Sequence, residues 1–156
     1  MEFKPLAPAY DADLAALIRS CLKAHHLDIP GTVYYDEGLD HLSDFYSSPD
    51  CAYYVLVDGE RLVGGIGLAA FDGFADCCEL QKLYLNESAR GHGIGYEMIR
   101  YIEERARERG FRRIYLETHT NLQAAIHIYR ASGYREIPRP ESVMHGTMNV
   151  FFLKDL

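Results

Sequence analysis

The sequence has no stretch suited to crossing a bilayer. The uncharged run Leu62 to Phe71 is ten residues long, about half of the roughly 20 that a hydrocarbon core requires. It also lacks the apolar segment ending in small residues that marks a secretory leader. MEFKPLAPAY carries Glu2 and two prolines, so a cytoplasmic protein without membrane attachment is expected. Cysteine is scarce and poorly spaced. Cys21, Cys51, Cys77 and Cys78 form no C-x-x-C pair, and the adjacent Cys77 and Cys78 would leave a strand on opposite faces. Buried free thiols are therefore expected, with no metal site and no disulfide scaffold. Positive charge is short as well. Sixteen Lys and Arg against 23 Asp and Glu leave a net charge of −7, which disfavours binding nucleic acid or anionic lipid through bulk electrostatics.

What is present is an ordinary globular composition. Of 156 residues, 48% are hydrophobic and 25% charged, enough to bury one core without staples, and no linker or repeat interrupts them. A single domain over 1–156 is expected. Its charge is uneven. Residues 1–89 hold 5 basic and 15 acidic side chains, residues 90–113 hold 7 and 4, and residues 114–156 hold 4 and 4. Only the middle segment is positive, and it opens with glycines, so an anion is best received there. The plain alternative is a solvated helix in which Glu97, Glu103, Glu104 and Glu108 pair with the interleaved arginines.

The pattern of apolar residues alternates between the two periods. Leu14, Leu17, Ile18, Cys21 and Leu22 mark a helix that Asp11 or Asp13 can cap. A weaker helix follows over 36–46. CAYYVLV and RLVGGIGLAAF flank Asp58-Gly59, which predicts a hairpin. A strand over 76–85 leads into a helix over 91–109 with Ile94, Met98, Ile102 and Ala106 buried and Gly110 at its end. FRRIYLET reads as a strand, 121–132 as a helix stopped by Gly133, 138–146 as a loop and MNVFFLKDL as a closing strand. One βαβ unit inside a hairpin-built sheet predicts an α+β, or mixed α/β, three-layer domain. Its central sheet would be mixed and mostly antiparallel with one parallel pair.

Arg90-Gly91-His92-Gly93-Ile94-Gly95 lies directly between a strand and a helix. Glycines there let backbone approach a ligand, and the unpaired amides at a helix start suit a pyrophosphate. A dinucleotide-binding G-x-G-x-x-G would need glycine where Tyr96 stands, and a P-loop would need Gly-Lys-Ser/Thr. With Arg90, Gly93 and Gly95 in place, the sequence resembles the GNAT superfamily of acyl-CoA-dependent N-acetyltransferases. That family's signature is Gln or Arg, two residues, Gly, one residue, then Gly or Ala. NLQAAIHIYRASGY continues the resemblance through Asn121, Ala124, Tyr129 and Gly133-Tyr134. The likeness covers roughly Glu79 to Tyr134.

The resemblance implies a GNAT-like fold with acetyl-CoA as co-substrate and no metal. The pantetheine arm would pair with the backbone of Leu83, Tyr84 and Leu85. Amides of Arg90, Gly91, His92, Gly93, Ile94 and Gly95 would hold the pyrophosphate, and Asn121 would anchor the cofactor where the central strands part. Glu79 and Glu117 both match positions of a general base in different branches of the family, and Tyr129 matches the general acid. The chemistry calls for both roles. An alkyl amine with a pKa near ~10.4 is mostly protonated at neutral pH, and only its neutral form attacks a thioester. Each residue has a plainer reading: Glu79 as a charge at the sheet edge, Glu117 as a partner of Arg112 or Arg113, and Tyr129 as packing.

The implied acceptor is a primary amine of a small molecule or peptide. Asp28, Asp36, Glu37, Asp40 and Asp44, with Tyr34, Tyr35 and Tyr46, suit a cationic one, the plain alternative being an ordinary solvated acidic face. His92 is expected to face solvent, while His25, His26 and His119 could line the acceptor site. The family's habits imply an exposed last strand able to pair with a second copy, hence a homodimer. Two further readings are a non-catalytic acyl-CoA sensor or interaction module, which needs no proton donor at 129, and a nucleotide-binding regulatory domain, which the glycine spacing opposes.

Overall fold

The computed structural model describes residues 1–144 and 146–156, so His145, in the loop expected over 138–146, lies outside the described residues. The strands are β1 (Glu2–Pro5), β2 (Cys51–Asp58), β3 (Arg61–Phe71), β4 (Cys77–Leu85), β5 (Arg113–Thr118), β6 (Arg135–Ile137) and β7 (Val150–Asp155). They form one sheet in the order β1-β2-β3-β4-β5-β7-β6. β1 with β2, β5 with β7 and β6 with β7 are antiparallel, and β4 with β5 is parallel, which is the mixed α/β arrangement expected. The chain falls into two compact units, Met1–Gly67 with Lys82–His92, and Leu68–Gln81 with Gly93–Leu156.

In the first unit, helix α1 (Asp11–Ala24) buries Leu14, Leu17, Ile18, Cys21 and Leu22, the stripe its spacing predicts. Its start differs from expectation. Tyr10 is the N-cap residue and makes no side-chain cap bond. Asp11 already sits in the first turn, and its carboxylate accepts instead from Ser43 N at 2.9 Å and Ser43 Oγ at 2.5 Å. The weaker helix over 36–46 is a 3-10 turn, Glu37–His41, running into the single turn of α2 (Leu42–Phe45). Leu39 and Leu42 pin that segment to the core. β2 and β3 are sheet neighbours joined by two residues, with Gly59 at φ +62°, as the Asp-Gly turn predicts.

In the second unit, β5 pairs with β7 over six residue pairs, while its parallel ladder with β4 has three, Cys77↔Arg113, Cys78↔Ile114 and Glu79↔Tyr115. Helix α3 (Ile94–Glu108) begins three residues later than expected, because Gly91 and Gly93 take left-handed φ values of +81° and +75° that no α-helix tolerates. It ends as predicted: Gly110 N bonds Arg107 O and Phe111 N bonds Ala106 O, the paired bonds of a Schellman motif. Met98, Ile99, Ile102 and Ala106 are at most 1% exposed. A fully buried Ile or Met side chain stabilises by about 1.5–3 kcal/mol, so this stripe holds the helix in place. Glu103, buried beside them, takes Lys154 Nζ at 2.9 and 3.0 Å and Tyr134 Oη at 3.0 Å.

Helix α4 (Gln123–Ala131) packs Tyr129 near Phe152, with ring centroids 6.0 Å apart. The expected exposed final strand is corrected. β7 lies between β5 and β6, with Val150, Phe151, Phe152 and Leu153 buried, because β6, three residues that the sequence pattern does not reveal, covers its other side. Cys21, Cys77 and Cys78 are buried free thiols as expected, whereas Cys51 is half-exposed.

Candidate active site

The end of β4 is shaped by a residue the sequence analysis passes over. Gly65 and Gly67 of β3 leave room for the Tyr53 ring: a Cβ at Gly65 would lie 2.6 Å from Tyr53 Cε1, and one at Gly67 would lie 2.6 Å from Tyr53 Cδ2. Tyr53, 2% exposed, donates its hydroxyl to Lys82 O at 2.7 Å. Lys82 takes the left-handed φ of +49° inside a strand, a conformation that a non-glycine residue holds only when its surroundings fix it. Leu83, Tyr84 and Leu85 follow, all half-buried. Leu85 O already accepts from Arg90 Nε at 3.2 Å and Cys21 Sγ at 3.6 Å, so that carbonyl is occupied within the chain.

The three glycines of the loop do different work. At Gly91 and Gly93 an added Cβ meets nothing within 4 Å, so their demand is conformational. Gly95 lies inside α3, where a Cβ would come within 2.9 Å of Ile128 Cδ1, so it serves helix packing. The Arg90 amide is spent on Glu87 O at 3.1 Å, and the first α3 bond runs from Glu97 N to Gly93 O at 3.2 Å. Amides able to receive an anion therefore begin after Arg90 and end before Glu97. His92 is exposed, as expected.

Glu79, Tyr115 and Glu117 share one face of the second unit's sheet. Glu79 is in register with Tyr115, and Glu117 is two residues further along the same strand. Tyr115 Oη donates to Glu117 Oε2 at 3.1 Å. Burial, then the neighbouring Glu117 and Glu79 charges, push the Tyr115 phenol far above its usual range. Glu117 is thus a partner of Tyr115. Arg113 lies 3.8 Å from Asp155 instead.

Tyr129 stands on the opposite face. It packs against Phe152, whereas Phe151, the neighbour of Phe152 in β7, pairs with Glu117. Burial raises the Tyr129 phenol well above 10. Asn121 is exposed just before α4, where its amide donates to His119 Nδ1 at 3.0 Å. Asn149 steadies that turn, with Oδ1 accepting from Thr120 N at 3.1 Å.

Of the acidic residues expected to meet a cationic acceptor, Asp40 is engaged by Arg19 through two bonds of 2.8 Å. Tyr46 is buried, and Lys82 Nζ lies 5.6 Å from its ring centroid and 5.3 Å from that of Phe45. The chain's own lysine thus sits over aromatic faces of this region. No group of three or more His, Cys, Asp or Glu side chains converges among the described residues.

Comparison with known proteins identifies the family and the fold. The model of the acetyltransferase (GNAT) family matches residues 17–134. The chain belongs to the GNAT acetyltransferase family. It is 42% identical over 103 residues to YjgM, an uncharacterized N-acetyltransferase of Escherichia coli K12, a match covering 65% of this chain and 62% of that protein. It is 30% identical over 95 residues to a streptothricin acetyltransferase of Escherichia coli, covering 61% and 53%. The matches therefore span less than two thirds of either relative. The fold is that of the PaiA N-acetyltransferase from Thermoplasma acidophilum, solved in complex with coenzyme A: TM-score 0.78 at 18% identity, covering 99% of this chain and 98% of that one.

Proposed function

We propose that the chain is a single acetyltransferase domain that moves an acetyl group from acetyl-CoA directly to a primary amine of a small molecule or peptide. The observation that carries this reading is the pair of left-handed glycines, Gly91 and Gly93, opening onto the start of α3 with space at both Cα positions. Backbone amides between Gly91 and Tyr96 would grip the pyrophosphate, helped by the helix dipole. Backbone at Leu83 and Tyr84 would pair with the pantetheine arm, and Asn121 would anchor the cofactor. Acetyl-CoA supplies an activated acyl group.

A carboxylate on the Glu79–Glu117 face would take the proton from the amine, whose nitrogen forms a bond to the thioester carbon as the carbon–sulfur bond breaks. Tyr129, kept protonated by burial, would give its proton to the departing thiolate.

Acetyl-CoA at about 100 times its Kd should stabilise the protein by about 2.7 kcal/mol. Thiol release is then measured with polyamines, amino acids, aminoglycosides and peptide N-termini. Tyr129→Phe should lower kcat roughly 100-fold and keep the acetyl-CoA stabilisation. Unchanged turnover would remove the tyrosine from the mechanism. Stabilisation without thiol release from any amine would instead make the chain a non-catalytic acyl-CoA binder.

A further inference from the structure

We infer that Tyr115 is a positioning residue whose hydroxyl holds the Glu117 carboxylate ready to accept the amine proton, an assignment that rests on the acetyltransferase reading above. The two residues are two apart on β5 and share a face, so the 3.1 Å bond between Tyr115 Oη and Glu117 Oε2 lies within one strand. The donor cannot drift. Tyr115 is 0% exposed and stacks on Phe71 at 4.2 Å between centroids with 10° between planes. Cys77, Phe151 and Leu153 pack in the same cluster, and Phe74 lies 6.3 Å from the Tyr115 ring between centroids. Glu117, by contrast, is half-exposed and able to meet a substrate.

Glu79 faces the same ring in register from β4, yet the hydroxyl is given to Glu117. That asymmetry separates two carboxylates that the sequence leaves equivalent. Among the described residues, the charged and titratable groups around the pair are Glu79 and Cys77 from β4 and Arg139 from the segment after β6. The end of β3 and the facing part of β7 contribute Phe71, Phe151 and Leu153, which carry no charge. Arg139 is itself fixed, donating to Met144 O at 3.1 Å and Met148 O at 3.0 Å.

A hydroxyl donated to one carboxylate oxygen restricts the carboxylate's torsion and leaves its other oxygen to meet a substrate. Tyr115→Phe deletes the hydroxyl and keeps the stacked ring. In the full chain this variant should keep the fold, as read by thermal melting, because the ring and its stack on Phe71 remain. At neutral pH kcat should fall roughly tenfold as orientation is lost, with KM for acetyl-CoA unchanged. Combining Tyr115→Phe with Glu117→Gln should be no slower than Glu117→Gln alone.

An unchanged kcat in a folded Tyr115→Phe protein, or an equal loss in kcat whether or not Glu117 is already glutamine, overturns the positioning role alone. Loss of the acidic limb in Glu79→Gln rather than Glu117→Gln overturns it as well. Failure of the wild-type protein to release thiol with any amine of the panel overturns the acetyltransferase reading and this assignment with it.

Discussion

Replacing Gly65 by alanine tests how the end of β4 is built. The new methyl group would lie 2.6 Å from Tyr53 Cε1 and 2.9 Å from Cζ, well inside carbon–carbon contact of about 3.5–4.0 Å. Tyr53 cannot swing away cheaply, because it is 2% exposed and packs against Tyr46 at 5.0 Å. Overpacking of this kind costs about 1–3 kcal/mol. A displaced ring would also withdraw its hydroxyl from Lys82 O, whose bond contributes about 1 kcal/mol.

The expected loss is therefore about 2–4 kcal/mol. Thermal denaturation should register it as a Tm drop of roughly 4–16 °C at 2–4 °C per kcal/mol. Tyr53→Phe, which removes the bond and keeps most of the ring, should cost about 1 kcal/mol. Adding Gly65→Ala to Tyr53→Leu should cost less than adding it to the wild type, because residues in contact do not act additively. A Gly65→Ala protein as stable as the wild type would refute the account of Tyr53 as the brace of Lys82.

The loop glycines should separate in the same assay. Gly93→Ala, forced to φ +75°, should lose about 1–2 kcal/mol and weaken acetyl-CoA stabilisation. Gly95→Ala displaces only the tip of Ile128 and should lie within about 1 kcal/mol of wild type, since alanine's helix propensity offsets the crowding. Equal effects at both positions would contradict the distinct roles. Alkaline pH gives a further check. Burial pushes the thiols of Cys77 up to about 11 and Cys78 up to about 12, from 9.0. Folded values above unfolded ones stabilise fully below pH 9 and less as pH rises through 11 and 12, so melting between pH 9 and 11 should reveal a loss of several kcal/mol at ~1.36 kcal/mol per unit. Cys78→Ala should flatten that decline; an unchanged slope would assign it to other groups.

Much of this was legible in the residues because burial leaves a periodic trace. The stripes of α1 and α3, the Asp-Gly hairpin and the parallel pair around α3 all follow from it. β6 left no such trace: Arg135 and Glu136 are exposed, and three residues are too few to show alternation. The Asp11 cap went astray because a carboxylate near a helix start can be drawn to a distant donor, here Ser43. At the site, Arg90, Gly91 and Gly93 were visible as a spacing, but Gly95 carried the same letter for a packing reason. Tyr115 and Tyr53 were hidden among strand aromatics, since nothing local distinguishes a tyrosine that braces a neighbour from one that fills space. The Gly64-Gly65-Ile66-Gly67 run was the one available hint of Tyr53, because small residues in a strand often mark the approach of a bulky group.

The interior place of β7 has a consequence for synthesis. Residues 150–155 complete hydrogen-bond ladders with both β5 and β6, yet they leave the ribosome after either partner. Until then the nascent chain presents two unmatched strand edges, one of them carrying the Tyr115–Glu117 pair. A chain cut just short of Val150 would therefore lack the strand that joins these two edges, and the edge carrying Tyr115 and Glu117 would stay open.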